Sequence, residues 1–462
     1  SWLRIKRIMK HIKVDTQIIE SEFLFLKGQL QSHLTFNFLD FCYRKMSEIS
    51  KEGASSIRAF SNILNYSLAE PISKFGLVRD EIMCIENCIA LHKSLNKDSN
   101  IKFSYEGDVD KHAILPRILI VFVENALKHG VSHDPLNPIE IELKSIRNEL
   151  VFRIKNKKNH QKFLPKSGIG LQNIRQLLNL FYFQKYSLII DDTSDWFSCE
   201  LAIVETSRNR YRKLNFKYLI LLCFLSIYIF TAGLSEGTNL IPLFILVSII
   251  SFEGYENLIG IKKIKAETQK ERALLTKELG FLKNQFNSHV TFNFLNYCYS
   301  KIHKDSAETA EAIEIFSRML RYSLNSKETE KIPLNKEVEY IEDFIMLQKI
   351  LTTDSNILFS INTFEYHSIY IFPRILITLV ENAFKHGNLH SKVNPITIQL
   401  QLSGTSLELN IKNEKNTRKI IERSKMRQYK LIQQLELLYK NRYTFTSNKV
   451  DNVYCSNLKL TI

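Results

Sequence analysis

The stretch LKGQLQSHLTFNFLD at residues 26–40 returns as LKNQFNSHVTFNFLN at residues 282–296. In each, a histidine (His33, His289) stands four residues before an asparagine (Asn37, Asn293). On a helix that spacing puts both polar side chains on one face. Each stretch is followed by a second matched block, PRILIVFVENALKHG at residues 116–130 and PRILITLVENAFKHG at residues 373–387. The offset is 256 between His33 and His289 and 257 between Asn125 and Asn382, so the sequence reads as one unit duplicated in tandem.

Working outward, amphipathic stretches follow the histidine helices at residues 57–68 (IRAFSNILNYSL) and 313–324 (IEIFSRMLRYSL). Ile57, Phe60, Leu64 and Leu68 share a stripe, as do Ile313, Phe316, Leu320 and Leu324. Two such helices make half of a four-helix bundle, which predicts dimerisation. Further helices are expected over residues 78–93 and 334–349, then strands at 101–105 and 357–361. Hairpins are expected at 139–143 with 150–155 and at 396–402 with 407–412. The fold class is therefore α+β: two units, each a helical hairpin followed by an α/β sandwich.

Between the units, FKYLILLCFLSIYIFTAGL at residues 216–234 is long enough to span a bilayer. A shorter apolar run at 240–252 follows, and a re-entrant or interfacial helix is an alternative for it. Basic flanks favour a two-span hairpin with both units on the same, cytoplasmic side of a bacterial inner membrane. The expected organisation is a basic juxtamembrane helix with the first hairpin at 1–70, a first α/β domain at 71–206, and a transmembrane hairpin at 207–260. A second hairpin at 261–326 and a second α/β domain at 327–462 complete it. The chain begins at Ser1 without an initiator methionine, which suggests a piece of a longer gene product.

The chain carries a formal charge of +15. Much of the excess sits in RIKRIMKHIK, SRNRYRKLNFK and IKKIK, two of which flank apolar runs, so the balance points to a membrane rather than to nucleic acid. Seven cysteines without a CxxC pattern argue against a disulfide framework or zinc.

A neutral imidazole is a competent phosphoryl acceptor, and an asparagine one turn on can orient the ring or the incoming phosphate. In the second block, Glu124, Asn125, Lys128 and His129 set carboxylate, amide and cation on adjacent helical positions. Such oxygen donors suit Mg²⁺, and the cation suits phosphate. Glu381, Asn382, Lys385 and His386 repeat the set. A third block, SGIGLQN at residues 167–173, occurs once and places Gly168 and Gly170 just before an amphipathic stretch at 174–182. Glycines let backbone approach phosphate at a helix start. The matching stretch at 423–439, RSKMRQYKLIQQLELLY, has no glycine.

These residues resemble the LytS-type sensor histidine kinases, whose ATP-binding part has the GHKL fold. The family's histidine motif is similar to LKAQINPHFLFNTLN, its N-box to PPLLLQPLVENAIKHG, and its glycine box to GIGLKNVRERLKLLY. The resemblance covers nearly all of both units and leaves out the membrane linker. It implies that His33 and His289 accept phosphate from ATP and that Asn125 is the Mg²⁺ ligand with Glu124 beside it. It implies too that Gly168 and Gly170 form part of the ATP lid, that Asn382 matches Asn125 in the second unit, and that a response regulator receives the phosphoryl group; the cations Lys128 and His129 are candidate phosphate contacts from their place on the helix. Serine replaces the usual proline before the histidine (Ser32, Ser288), and Asn156 stands where the wider fold has an adenine-reading aspartate. Without glycines, the second unit is expected to bind ATP weakly or not at all. Homodimerisation and an intrachain pseudo-dimer both remain open, as do a scaffolding pseudokinase and a GHKL ATPase without histidine phosphorylation.

Overall fold

The computed structural model describes residues 33–69, 75–160, 169–182, 185–204, 273, 276, 280, 289–326, 330–362, 369–416, 431–432, 434–436 and 438–462. The expected basic juxtamembrane helix at the start of the chain and the membrane hairpin at 207–260 lie outside them. No helix among the described residues is long and apolar enough to cross a membrane.

The N-terminal half opens with a helical hairpin, α1 (His33–Ile49) and α2 (Lys51–Ala69). Its turn is tight: Ser50 Oγ accepts from the Gly53 amide at 3.1 Å, and a Cβ on Gly53 would lie 2.7 Å from the Met46 sulfur. All four stripe residues of α2 are buried, which is what their three- and four-residue spacing demands. The strand β1 (Gly76–Leu77) leads into α3 (Val78–Leu95), β2 (Ile101–Glu106), β3 (Ala113–Ile114) and α4 (Ile118–His129). Strands β4 (Ile139–Ile146) and β5 (Glu149–Lys157), helix α5 (Ile169–Phe181), and strands β6 (Tyr186–Asp192) and β7 (Trp196–Val204) follow.

The five-stranded sheet runs β2-β4-β5-β7-β6, with β2 parallel to β4 and the other pairs antiparallel. Period-two alternation turns Leu150, Phe152 and Ile154 of β5 toward the buried side and leaves Arg153 and Lys155 exposed. Asn156 continues the inward series and is buried like the apolar residues before it. On the solvent side Arg153 pairs with Glu142 and Glu200.

The C-terminal half has the same order: α6 (His289–Ile302), α7 (Ala307–Asn325), β8 (Ile332–Pro333), α8 (Leu334–Leu351), β9 (Ile357–Asn362), β10 (Tyr370–Ile371) and α9 (Ile375–His386). Then come β11 (Ile396–Ser403), β12 (Ser406–Glu414), β13 (Tyr443–Val450) and β14 (Val453–Thr461). Its sheet, β9-β11-β12-β14-β13, repeats the first, and Ser306 caps α7 through the Thr309 amide. The architecture is mixed α+β, with α4 packed on strands β4 and β5 of the first sheet.

The two hairpins touch each other. Phe38 of α1 stacks on Phe316 of α7, and Phe60 of α2 stacks on Phe294 of α6. The six described cysteines are free thiols, five of them buried. Burial and the neighbouring Cys298 push the Cys42 thiol well above its ordinary value.

Candidate functional site

The helix α4 holds four of the candidate residues, and its ends are fixed in different ways. At its start Arg117 occupies the N-cap with a left-handed backbone, φ 69°, and Arg374 does the same before α9 with φ 72°. An arginine there supplies no side-chain acceptor for the orphan amides of the first turn. The acceptor comes from Glu81 of α3, fully buried, whose carboxylate takes hydrogen bonds from the amides of Arg117, of Leu119 at 3.0 Å and of Ile120 at 3.2 Å. The Tyr66 hydroxyl, from α2, donates to the same carboxylate.

The arrangement repeats in the other half. Glu337 accepts from the amides of Arg374 (2.8 Å) and Ile377 (3.2 Å) and from the Tyr322 hydroxyl. Burial pushes the Glu81 and Glu337 carboxyls above the ordinary glutamate value, against the pull of these donors. It also raises the Tyr66 and Tyr322 hydroxyls, together with the adjoining carboxylates. The Arg374 guanidinium closes the end of α7 by donating to the carbonyls of Ser323 (2.7 Å) and Ser326 (2.9 Å).

At the other end, α4 is stitched to the end of β5. The Asn159 amide donates to the His129 carbonyl and the Val131 amide to the Lys157 carbonyl, both at 2.8 Å. Gly130 lies between them with φ −82°, so backbone freedom is not the reason for glycine. A Cβ would sit 2.4 Å from the Ala126 carbonyl and 3.1 Å from the Asn156 amide nitrogen. Asn156 therefore lies directly under the end of α4, and Asn413 stands in the same relation to Gly387. The Asn156 side-chain oxygen is buried without a hydrogen-bond partner among the described residues.

Glu124, Asn125, Lys128 and His129 are all half-buried on α4. The Asn125 and Asn382 carboxamides make no hydrogen bond among the described residues. An available amide oxygen beside a carboxylate is a donor set that fits a hard cation. Among the described residues no three His, Cys, Asp or Glu side chains gather into a cage, and Mg²⁺ bound through one or two protein oxygens plus phosphate and water needs none.

The structure thus brings Glu124, Asn125, Lys128, His129 and Asn156 to one end of α4. Asn37 and Asn293 are exposed on the bundle, one turn after the positions of His33 and His289 that open α1 and α6. The side chains of both histidines, and Gly168, lie outside the described residues. Gly170 falls inside the first turn of α5, because that helix begins at Ile169 rather than near Ile174. The helix is anchored by Tyr182, whose hydroxyl accepts from the Leu115 amide at 2.9 Å. Tyr439 does the same for Phe372 at 3.2 Å, with Leu431 and Leu435 buried like Ile174 and Leu178, so the second half keeps this packing without the glycines.

Sequence reasoning missed Glu81, Tyr66 and Arg117. The signal was available: each type recurs in the other half, as Glu337, Tyr322 and Arg374.

Among solved structures, the histidine kinase AdeS of Acinetobacter baumannii aligns with 39% of this chain and 91% of its own, at 13% identity and a TM-score of 0.22. Histidine kinase ThkA in complex with the response regulator protein TrrA aligns with 70% of this chain and 79% of its own, at 12% identity and a TM-score of 0.21. An uncharacterised sensor-like histidine kinase of Staphylococcus epidermidis is 32% identical over 158 residues, 34% of this chain and 30% of the relative. Sensor protein kinase HptS of Staphylococcus aureus is 31% identical over 139 residues, 30% of this chain and 26% of the relative. The chain spans less than a third of the length of these curated relatives. Residues 277–356, which include His289 and run from before α6 past the end of α8, match the family model described as Histidine kinase.

Proposed function

We propose that this chain is a sensor histidine kinase of the LytS type, built as a tandem duplication and anchored in a bacterial inner membrane by a hairpin at 207–260, with both units on the cytoplasmic side. The observation that carries the proposal is the layout of each half. A helix opening on a histidine enters a bundle, and a later helix of the same half carries an asparagine amide, beside a glutamate, that makes no hydrogen bond among the described residues. The match of residues 277–356 to the Histidine kinase family supports the same reading.

In this reading ATP lies at the end of α4 over Asn156, with Lys128 and His129 near its phosphates and the backbone at Gly168 and Gly170 closing on them. Asn125, with Glu124 beside it, would hold Mg²⁺, which offsets the charge of the transferring phosphoryl group. The lone pair of His33 Nε2 forms the N–P bond as the bond to the departing ADP oxygen breaks. Asn37 and Asn293 orient the acceptor rings. The phosphoryl group then passes to an aspartate of a response regulator, the expected protein partner.

The second half keeps His289 and Asn382 but has no glycine lid, and its retained core around Leu431, Leu435 and Tyr439 favours a scaffolding role for that domain. The reciprocal ring stacks favour an intrachain pseudo-dimer over a homodimer, since they join the two hairpins of one chain.

The test is incubation of the purified chain with γ-labelled ATP and Mg²⁺. Acid-labile, alkali-stable label is expected, and it should vanish when His33 and His289 are both replaced by glutamine. Label that survives the double replacement sinks the proposal, and hydrolysis without any label would mark an ATPase. Neither hydrolysis nor label would mark a pseudokinase.

A further inference from the structure

The candidate residues fall into two groups on different layers, the histidine helices in the bundle and Asn125 on α4. One buried carboxylate, Glu81, joins the second helix of the first hairpin, α2, to the start of α4. We propose that Glu81 is a positioning residue for Asn125, and that Tyr66 makes that position depend on the bundle. Glu337 and Tyr322 form the equivalent link in the second half. The inference rests on α4 being the nucleotide-contacting helix.

The first-turn amides of α4 need an acceptor, and a serine, threonine, asparagine or aspartate at the N-cap would supply one locally at little cost. Here the N-cap is a buried arginine in a left-handed conformation, and the acceptor is a glutamate 36 to 39 residues away on another helix. Removing a carboxylate from water is expensive unless its oxygens are fully used. These are used by two elements: the start of α4 through three amides and α2 through the Tyr66 hydroxyl. A plain cap has no need of the second element. The same three residue types in the same relation recur in the other half, where Arg374 adds a second tie between the end of α7 and the start of α9.

The link continues across the molecule. Tyr66 lies six residues after Phe60 on α2, and Phe60 stacks on Phe294 of the opposite hairpin. Axial or rotational displacement of α2 in the bundle therefore moves the hydroxyl that holds Glu81, and Glu81 holds the first turn of the helix carrying Asn125. The link sets where α4 stands relative to the bundle, while the groups at the far end of α4 grip the nucleotide. It should govern the rate of transfer more than nucleotide affinity.

The experiment is Tyr66→Phe in the full chain, which removes one hydroxyl and no packing volume. Without nucleotide, amide exchange at Leu119 and Ile120 is expected to accelerate by roughly fivefold to tenfold, the equivalent of weakening one hydrogen bond to a charged group, with exchange in β4 unchanged. At saturating Mg²⁺ and ATP, the initial rate of histidine labelling should fall by about tenfold, while affinity for a fluorescent ATP analogue shifts by less than about twofold. Unchanged exchange at Leu119 and Ile120 overturns the inference. So does a loss of protection spread evenly over the chain, or a fall in affinity matching the fall in rate, since each marks a merely structural role. If the unaltered chain never labels, the kinase proposal fails by itself, and the nucleotide-free exchange measurement still decides whether the link exists.

Discussion

Phe38 and Phe316 stack with their centroids 4.2 Å apart and their planes 19° from parallel, and the counterpart pair Phe294 and Phe60 repeats this at 4.4 Å and 27°. Each ring of α1 or α6 meets a ring of the other hairpin's second helix. This is the reciprocity of a two-fold interface, realised here between unequal halves of one chain. Replacing Phe38 or Phe316 by alanine should cost about 3–5 kcal/mol in denaturant titrations, as for other buried aromatic truncations. A double-mutant cycle on the pair should return a coupling of about 1 kcal/mol. Zero coupling would mean that the hairpins do not meet in solution.

The two asparagines of the candidate site should behave differently. Asn125→Ala is expected to abolish nucleotide-dependent histidine labelling, a loss of about 100-fold or more if Asn125 holds Mg²⁺ as proposed. Asn382→Ala should change it by less than about twofold, because the second half has no glycines at the matching stretch. Measured labelling rates of the two variants decide which half acts, and equal losses would refute the asymmetry.

Gly130 and Gly404 separate two reasons for glycine. Gly130 has an ordinary φ and no room, so Gly130→Ala must distort the end of α4 at the Ala126 carbonyl and crowd Asn156, and should cost about 1–3 kcal/mol together with nucleotide affinity. Gly404 has φ +59° and nothing within 4 Å of a Cβ, so Gly404→Ala should cost only about 1 kcal/mol of backbone strain and leave binding alone. Thermal melts and titration with a fluorescent nucleotide test both.

The raised carboxyl of Glu81 sets the sign of a pH effect. A group whose folded value lies above its unfolded value holds its proton more tightly in the native state, so its contribution is full below the ordinary glutamate value near about 4.3 and is lost as pH rises through the raised value. The stability of the unaltered chain relative to Glu81→Gln should therefore fall across that window and then level off. Urea titrations at a series of pH values give the difference directly, and a rise in the same window would reverse the assignment.

Much of this was legible in the sequence because periodicity and repetition are local signals. The stripe of Ile57, Phe60, Leu64 and Leu68 buries as its spacing requires, and the alternation through Leu150, Phe152 and Ile154 marks the inward face of β5. The block around Asn125 was legible because it occurs twice. Glu81 was not, because an isolated glutamate on an amphipathic helix looks like a solvated edge until the chain folds a helix start onto it. The start of α5 was placed too late, because the glycines suggested a loop where the helix has already begun at Ile169.

The ring stacks between the hairpins carry an evolutionary consequence. In an association of identical chains, every substitution is imposed on both sides of the axis at once, and a residue that suits one side must also suit its mirror. When the facing surfaces are encoded separately, that constraint disappears. Phe41 and Tyr297 occupy matching positions with different chemistry, and the glycines at residues 168 and 170 have no counterpart in the C-terminal half. Each half is thereby free to specialise while its neighbour preserves the shape against which it is held.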